Sequence, residues 1–134
     1  MQYRRFGRTN LRISVLTFGA MRIPFGDRSP EERARAEENA FLAMKRALEV
    51  GVNHFETARG YGNSEHLIGM WLPHLPVRRE QLIITTKIPP TQSADEMRRY
   101  IDESCSATVG TGSRACRQMP APTAGIACRV ARSS

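Results

Sequence analysis

Hydrophobic positions along this chain fall into two alternating periods. Val15-Leu16-Thr17-Phe18-Gly19 is a short apolar run that ends at glycine, and Asn53–Ala58 reads as a second strand. Leu82-Ile83-Ile84-Thr85-Thr86-Lys87-Ile88 is nearly continuous in apolar and β-branched residues, the pattern of a strand buried on both faces. Helical spacing lies between and after these runs. Phe41, Met44 and Leu48 share one face of a segment that begins at Ser29 and stops at Gly51. Ser29 is placed to cap it, Pro30 suits its first position, Glu32 completes a capping box, and Gly51 suits the left-handed residue past its end. A second helix runs from Ser64 to Leu75, with Leu67, Ile68, Trp71, Leu72 and Leu75 in one stripe and Pro76 beyond it. Ser93-Ala94-Asp95-Glu96 opens a third helix through another capping box, with Met97, Tyr100 and Ile101 inward.

Ahead of these elements, Gln2–Phe6 and Leu11–Ser14 flank the turn-rich Gly7-Arg8-Thr9-Asn10 and predict a small hairpin. The order is a hairpin followed by strand–helix three times, which predicts an α/β fold of parallel βα units. Such units open either a doubly wound sheet or a barrel, and the pattern alone does not choose. A dinucleotide-binding fingerprint is missing, since Gly60-Tyr61-Gly62 has no third glycine and does not directly follow a strand. The chain changes character at Cys105. Residues 106–134 contain no aromatic, no leucine, no lysine and no acid, and cannot bury enough apolar surface to offset their ordering entropy. Two regions are therefore expected: 1–105 folded, and 106–134 a low-complexity, disordered tail.

Composition narrows function only slightly. The 134 residues suit one domain, and 40% hydrophobic with 25% charged residues suits a globular chain. No apolar run approaches the roughly 18 residues of a membrane span, and the N-terminus lacks a signal-peptide core. A cytoplasmic location with no membrane partner is expected. The net charge of +7 is uneven, because Arg114, Arg117, Arg129 and Arg132 supply +4 past Ser106 and residues 1–105 carry +3. No aromatic residues interleave with those arginines, so no specific nucleic-acid partner is expected. Cys105, Cys116 and Cys128 are an odd count at gaps of ten and eleven residues, which suits neither a disulfide framework nor a metal cluster. All three read as incidental. His54, His66 and His74 share no ligand spacing, and no metal site is expected.

Candidate chemistry sits where apolar strands end. Glu56 and Lys87 are charged residues at strand C-termini, the end at which parallel βα folds bind ligands. A buried charge needs a partner, and adjacent strands would supply each to the other. Tyr61 lies in the loop after Glu56, on the same rim. A phenol with a pKa of ~10 is a weak acid at neutral pH. A neighbouring ammonium stabilises its phenolate, and a carboxylate orients that ammonium. Such a set could protonate a carbonyl oxygen as hydride reaches the carbon. A structural ion pair with Tyr61 capping the core reads equally from these residues. Trp71 and its neighbouring leucines read as core, and Arg22 and Arg59 as solvated loop residues near the rim.

Tyr3-Arg4-Arg5-Phe6-Gly7-Arg8-Thr9, Leu16-Thr17-Phe18-Gly19, and above all the stretch from Gly51 to Glu65, with Thr57-Ala58 and Tyr61-Gly62 inside it, resemble the aldo-keto reductases. Thr85-Thr86-Lys87 is similar to that family's third-strand lysine. The resemblance covers about residues 2–105. It implies a truncated (β/α)8 TIM barrel, hairpin plus about three βα units, with NADPH across its C-terminal rim and a small carbonyl compound as substrate. Tyr61 would be the general acid, Lys87 the partner that strengthens it, and Glu56 the counterpart of the family's aspartate, one methylene longer. Gly19, Ala20 and Met21 match the loop beside the nicotinamide. The family's histidine after strand four and its phosphate-holding loops after strands seven and eight have no counterpart. The abrupt loss of leucine, lysine and acids after Ser104 is what a frameshift produces. The expectation is a carbonyl reductase by family whose truncated chain lacks activity. The alternative is a non-enzymatic barrel fragment with a basic tail, serving binding or assembly.

Overall fold

The computed structural model describes residues 1–23, 28–109 and 125–128. Tyr3–Arg5 (β1) and Arg12–Ser14 (β2) pair antiparallel as the hairpin, with Gly7 at φ 54° in its turn. Phe18–Gly19 (β3), His54–Glu56 (β4) and Ile83–Lys87 (β5) lie side by side and parallel. Pro30–Glu49 (α1) precedes β4, Ser64–Trp71 (α2) lies between β4 and β5, and Ala94–Val109 (α3) follows β5. Gly125–Cys128 (β6) runs antiparallel along the other edge of β5, with Gly125 opposite Lys87. No described helix is long and apolar enough to cross a membrane.

Alternation along the strands decides which residues make the core. Phe55 aligns with Phe18 and Ile84, and Thr86 follows two residues on from Ile84, so these face one side of the sheet. Phe55, Ile84 and Thr86 are at most 1% exposed there. Met44 of α1, Ile68 and Trp71 of α2, and Leu72, Leu75 and Leu82 join Phe55 and Ile84 in one cluster. The stripes expected on α1 and α2 thus pack where their spacing placed them, with Phe41 and Leu48 partly buried. Met97, Tyr100 and Ile101, expected inward on α3, are only half-buried, and that helix buries Ser104, Cys105 and Thr108 instead. On the opposite face His54 and Ile83 are buried, and its C-terminal end, carrying Glu56, Thr85 and Lys87, is half-buried.

Local signals explain most boundaries. Ser29 Oγ accepts from the Glu32 amide at 3.2 Å, and the Ser29 amide donates to the Glu32 carboxylate at 2.9 Å, so the capping box closes in both directions. Gly51 stands at φ 89°, and a Cβ there would come within 2.8 Å of Met1 and 3.0 Å of the Tyr3 hydroxyl, which itself donates to Gly51 O. Asn53 accepts from the Ser14 amide at 2.7 Å and donates to Arg12 O at 2.9 Å. These bonds hold the hairpin against the N-terminal ends of the strands, away from the rim that carries Glu56 and Lys87.

Four elements differ from expectation. The α2 helix ends at Trp71 and tightens to a 3-10 turn over Leu72–His74, because Pro73 has no amide to continue the ladder. The strand expected from Val15 begins only at Phe18; Val15 donates to Gln2 O at 3.0 Å and so extends the hairpin instead. Beyond Cys105, residues 106–109 continue α3, where Thr108 Oγ1 donates to Ser104 O at 2.8 Å and both residues are fully buried. Small side chains let that helix approach α2 closely despite its lack of leucine. Neither this last turn nor β6 was foreseen, and the disorder expected over 110–124 and 129–134 lies outside the described residues. Cys105, read as incidental, is buried and disulfide-bonded.

Candidate active site

The register brings Gly19, Glu56 and Thr85 into one row across β3, β4 and β5, with Lys87 one pleat further along the same face. Lys87 Nζ forms an ion pair with Glu56 Oε1, so the longer glutamate does reach its lysine. The same ammonium stands 4.5 Å from the centre of the Tyr61 ring, within cation–π range. Both partners of the ion pair are partly exposed, their side chains at 40% and 29%, as a site open to a ligand requires. The three residues singled out for proton transfer are therefore neighbours on one rim.

Of the three residues expected near a nicotinamide, Gly19 is exposed with open space where a Cβ would project, and Met21 is exposed beside it. Ala20 is fully buried in the hydrophobic cluster, so it can offer a ligand only backbone. Ala20–Arg22 form a 3-10 turn that carries the chain away from the end of β3.

Two charged or titratable residues do more than the sequence suggested. Arg59 is not a solvated arginine. Its guanidinium lies 4.1 Å from the centre of the Tyr100 ring and bonds Glu103 at 2.5 Å, while its amide donates to Lys87 O at 3.0 Å. It thereby ties the Tyr61 loop to both β5 and α3. The Arg59 guanidinium, with help from Arg99, holds the Glu103 carboxyl below the usual carboxylate range. His54 sits one pleat beneath Glu56, its ring nitrogens bonded to Thr17 Oγ1 and Thr85 Oγ1 at 2.9 Å each, with the Phe6 ring 5.7 Å away. The signal was its two-residue spacing from Glu56, which puts both on one face.

Burial pushes the His54 pKa below its ordinary 6.5. The unfolded chain therefore takes up this proton first as pH falls. Stability is undiminished above pH 6.5 and declines as pH drops from there to the folded value, below which the loss is complete. His54→Gln, which keeps one donor and one acceptor, should flatten that decline in urea midpoints measured between pH 7.5 and 5. His66 and His74 are exposed and common to both proteins. An equal decline in the variant would remove His54 as its source.

Parallel βα units with an ion pair and a tyrosine at their C-terminal rim place the site where α/β folds, barrel or doubly wound, bind ligands. The sequence profile of the aldo/keto reductase family matches residues 15–111, beyond the Cys105 limit of the resemblance. The chain belongs to the aldo-keto reductase family. It is similar to 6-dehydroglucose reductase of Novosphingobium aromaticivorans, 30% identical over 116 residues, covering 76% of this chain and 36% of that protein. With L-galactose dehydrogenase of Arabidopsis thaliana it shares 33% identity over 111 residues, 78% of this chain and 33% of that one. The crystal structure of the thermostable aldo-keto reductase Tm1743 with the inhibitor epalrestat matches at TM-score 0.67 and 29% identity, over 82% of this chain and 39% of the other. The chain spans about a third of the length of these curated relatives. Its fold is accordingly that of the opening portion of a (β/α)8 barrel.

Proposed function

We propose that this stretch supplies the proton-donating part of an NADPH-dependent carbonyl reductase site. The observation that carries the reading is the meeting of Tyr61, Lys87 and Glu56 at the C-terminal ends of adjacent parallel strands. Tyr61 gives its hydroxyl proton to the carbonyl oxygen of an aldehyde or ketone. Lys87 stabilises the phenolate left behind, and Glu56 keeps the ammonium charged and aimed. The open rim at Gly19 and the exposed Met21 fit the nicotinamide end of the cofactor, with Ala20 contributing backbone. NADPH, when bound, supplies the hydride.

The same reading has the 134-residue chain binding NADPH too weakly to measure and turning nothing over alone, because the three parallel strands among its described residues make one part of a barrel. Its partner is a small carbonyl compound, with no specific nucleic acid and no membrane. A cytoplasmic location belongs to the reading as well.

Two measurements test this. Fluorescence titration of the chain with NADPH should show no binding, and tight binding would overturn the expectation of inactivity. A hybrid in which residues 1–109 replace the matching segment of 6-dehydroglucose reductase should consume NADPH with a panel of aldehydes. A hybrid that folds and binds NADPH yet reduces none of them would sink the reductase reading.

A further inference from the structure

Glu65 takes no part in the chemistry just described, yet it is a carboxylate only 8% exposed in the first turn of α2. Burying such a group is costly unless its oxygens are satisfied. Here both are. Thr86 Oγ1 donates to one at 2.5 Å, and Ser104 Oγ donates to the other at 3.2 Å. Thr86 and Ser104 are themselves at most 1% exposed. One side chain therefore fastens α2 to β5 and to α3.

The place of this knot matters. Thr86 is the residue before Lys87 and points to the helix side, so fixing its side chain sets the rotation of β5 that aims Lys87 to the opposite face. Ser64, beside Glu65, shares a buried 2.6 Å hydrogen bond with Thr57, which follows Glu56. The loop that carries Tyr61 is thus pinned at both ends, by Thr57–Ser64 and by Glu65–Thr86. Within it, Tyr61 N donates to Ala58 O at 3.0 Å and Ser64 N donates to Tyr61 O at 3.1 Å. The loop also meets β5 through its backbone, Thr57 N donating to Thr85 O at 2.8 Å and Arg59 N to Lys87 O at 3.0 Å. The side-chain contact between the two is that of Tyr61 with Lys87.

We propose that Glu65 is a positioning residue: through Thr86 and the Thr57–Ser64 pair it sets the placement of Tyr61 over Lys87. The importance of that placement rests on the reductase reading, but its test needs neither cofactor nor turnover. An ammonium over an aromatic face places its neighbouring methylene protons in the shielding cone of the ring. The chain has only two lysines, Lys45 and Lys87, so their ε-methylene signals can be assigned with a Lys45→Arg variant.

In the isotope-labelled 134-residue chain, the Lys87 ε-protons should resonate upfield of an unstructured lysine and show cross-peaks to the Tyr61 ring. Glu65→Ala should move them most of the way to the unstructured value while the amides of β3 and β4 keep their positions, and Glu65→Gln should restore the upfield signal. Thr86→Val, which keeps the shape and removes the hydroxyl, should act as Glu65→Ala does. If Glu65→Ala fails to fold, Thr86→Val decides alone. An upfield signal that survives Thr86→Val, or that is missing from the parent chain, overturns the proposal. Absence of reductase activity in the hybrid would leave every one of these signals unchanged, so the two readings fail separately.

Discussion

Tyr61→Phe is expected to lower kcat of the hybrid reductase by about 10²–10⁴-fold, the usual contribution of a positioned general acid. Only the hydroxyl is removed. The ring that faces Lys87 at 4.5 Å remains, so packing and the lysine–glutamate pair should persist. NADPH affinity and thermal midpoint should match the parent hybrid, because the phenol proton is needed when charge develops on the carbonyl oxygen and not for binding. Stopped-flow turnover with one good aldehyde, alongside a cofactor titration, separates these quantities. A loss confined to KM would make Tyr61 a binding residue, and unchanged turnover would return the three residues to a structural pair with an aromatic cover.

Phe55→Ala is expected to cost about 3–5 kcal/mol, the range for emptying a core aromatic site. Phe55 is 0% exposed, and its ring lies 5.3 Å from that of Phe18 on the neighbouring strand. A single domain has only about 5–15 kcal/mol of stability in all, so the variant should populate unfolded chain without denaturant. Urea unfolding followed by the fluorescence of Trp71, which belongs to the same cluster, reads the change. A cost below about 1 kcal/mol would show that this face of the sheet is not the packed one.

Much of the fold was legible because its signals are local. The Ser29–Glu32 box, Gly51 and the stripe from Leu67 to Leu75 each depend on a few neighbouring positions, and each is realised as spaced. Pro73 is an equally local signal, stronger than Pro76, and it gives the last turn of α2 its 3-10 geometry. The candidate site was legible for a different reason, since charged residues closing apolar strands are conspicuous. What could not be read depends on partners far apart in the chain. Glu65 meets Ser104 across 39 positions, Arg59 meets Glu103 across 44, and β6 meets β5 through a register no composition announces. At Ser93, half of the second box forms, because Glu96 turns its carboxylate to the Tyr100 hydroxyl.

The alternation on β4 and β5 has a consequence for how such a protein changes over time. His54, Glu56, Thr85 and Lys87 face the rim side, whereas Phe55, Ile84 and Thr86 face the helices. Mutations that explore a new reaction and mutations that erode the scaffold therefore fall on alternate codons of the same short stretches. A substitution at Glu56 can therefore alter the rim without disturbing Phe55, the neighbour that holds the sheet together.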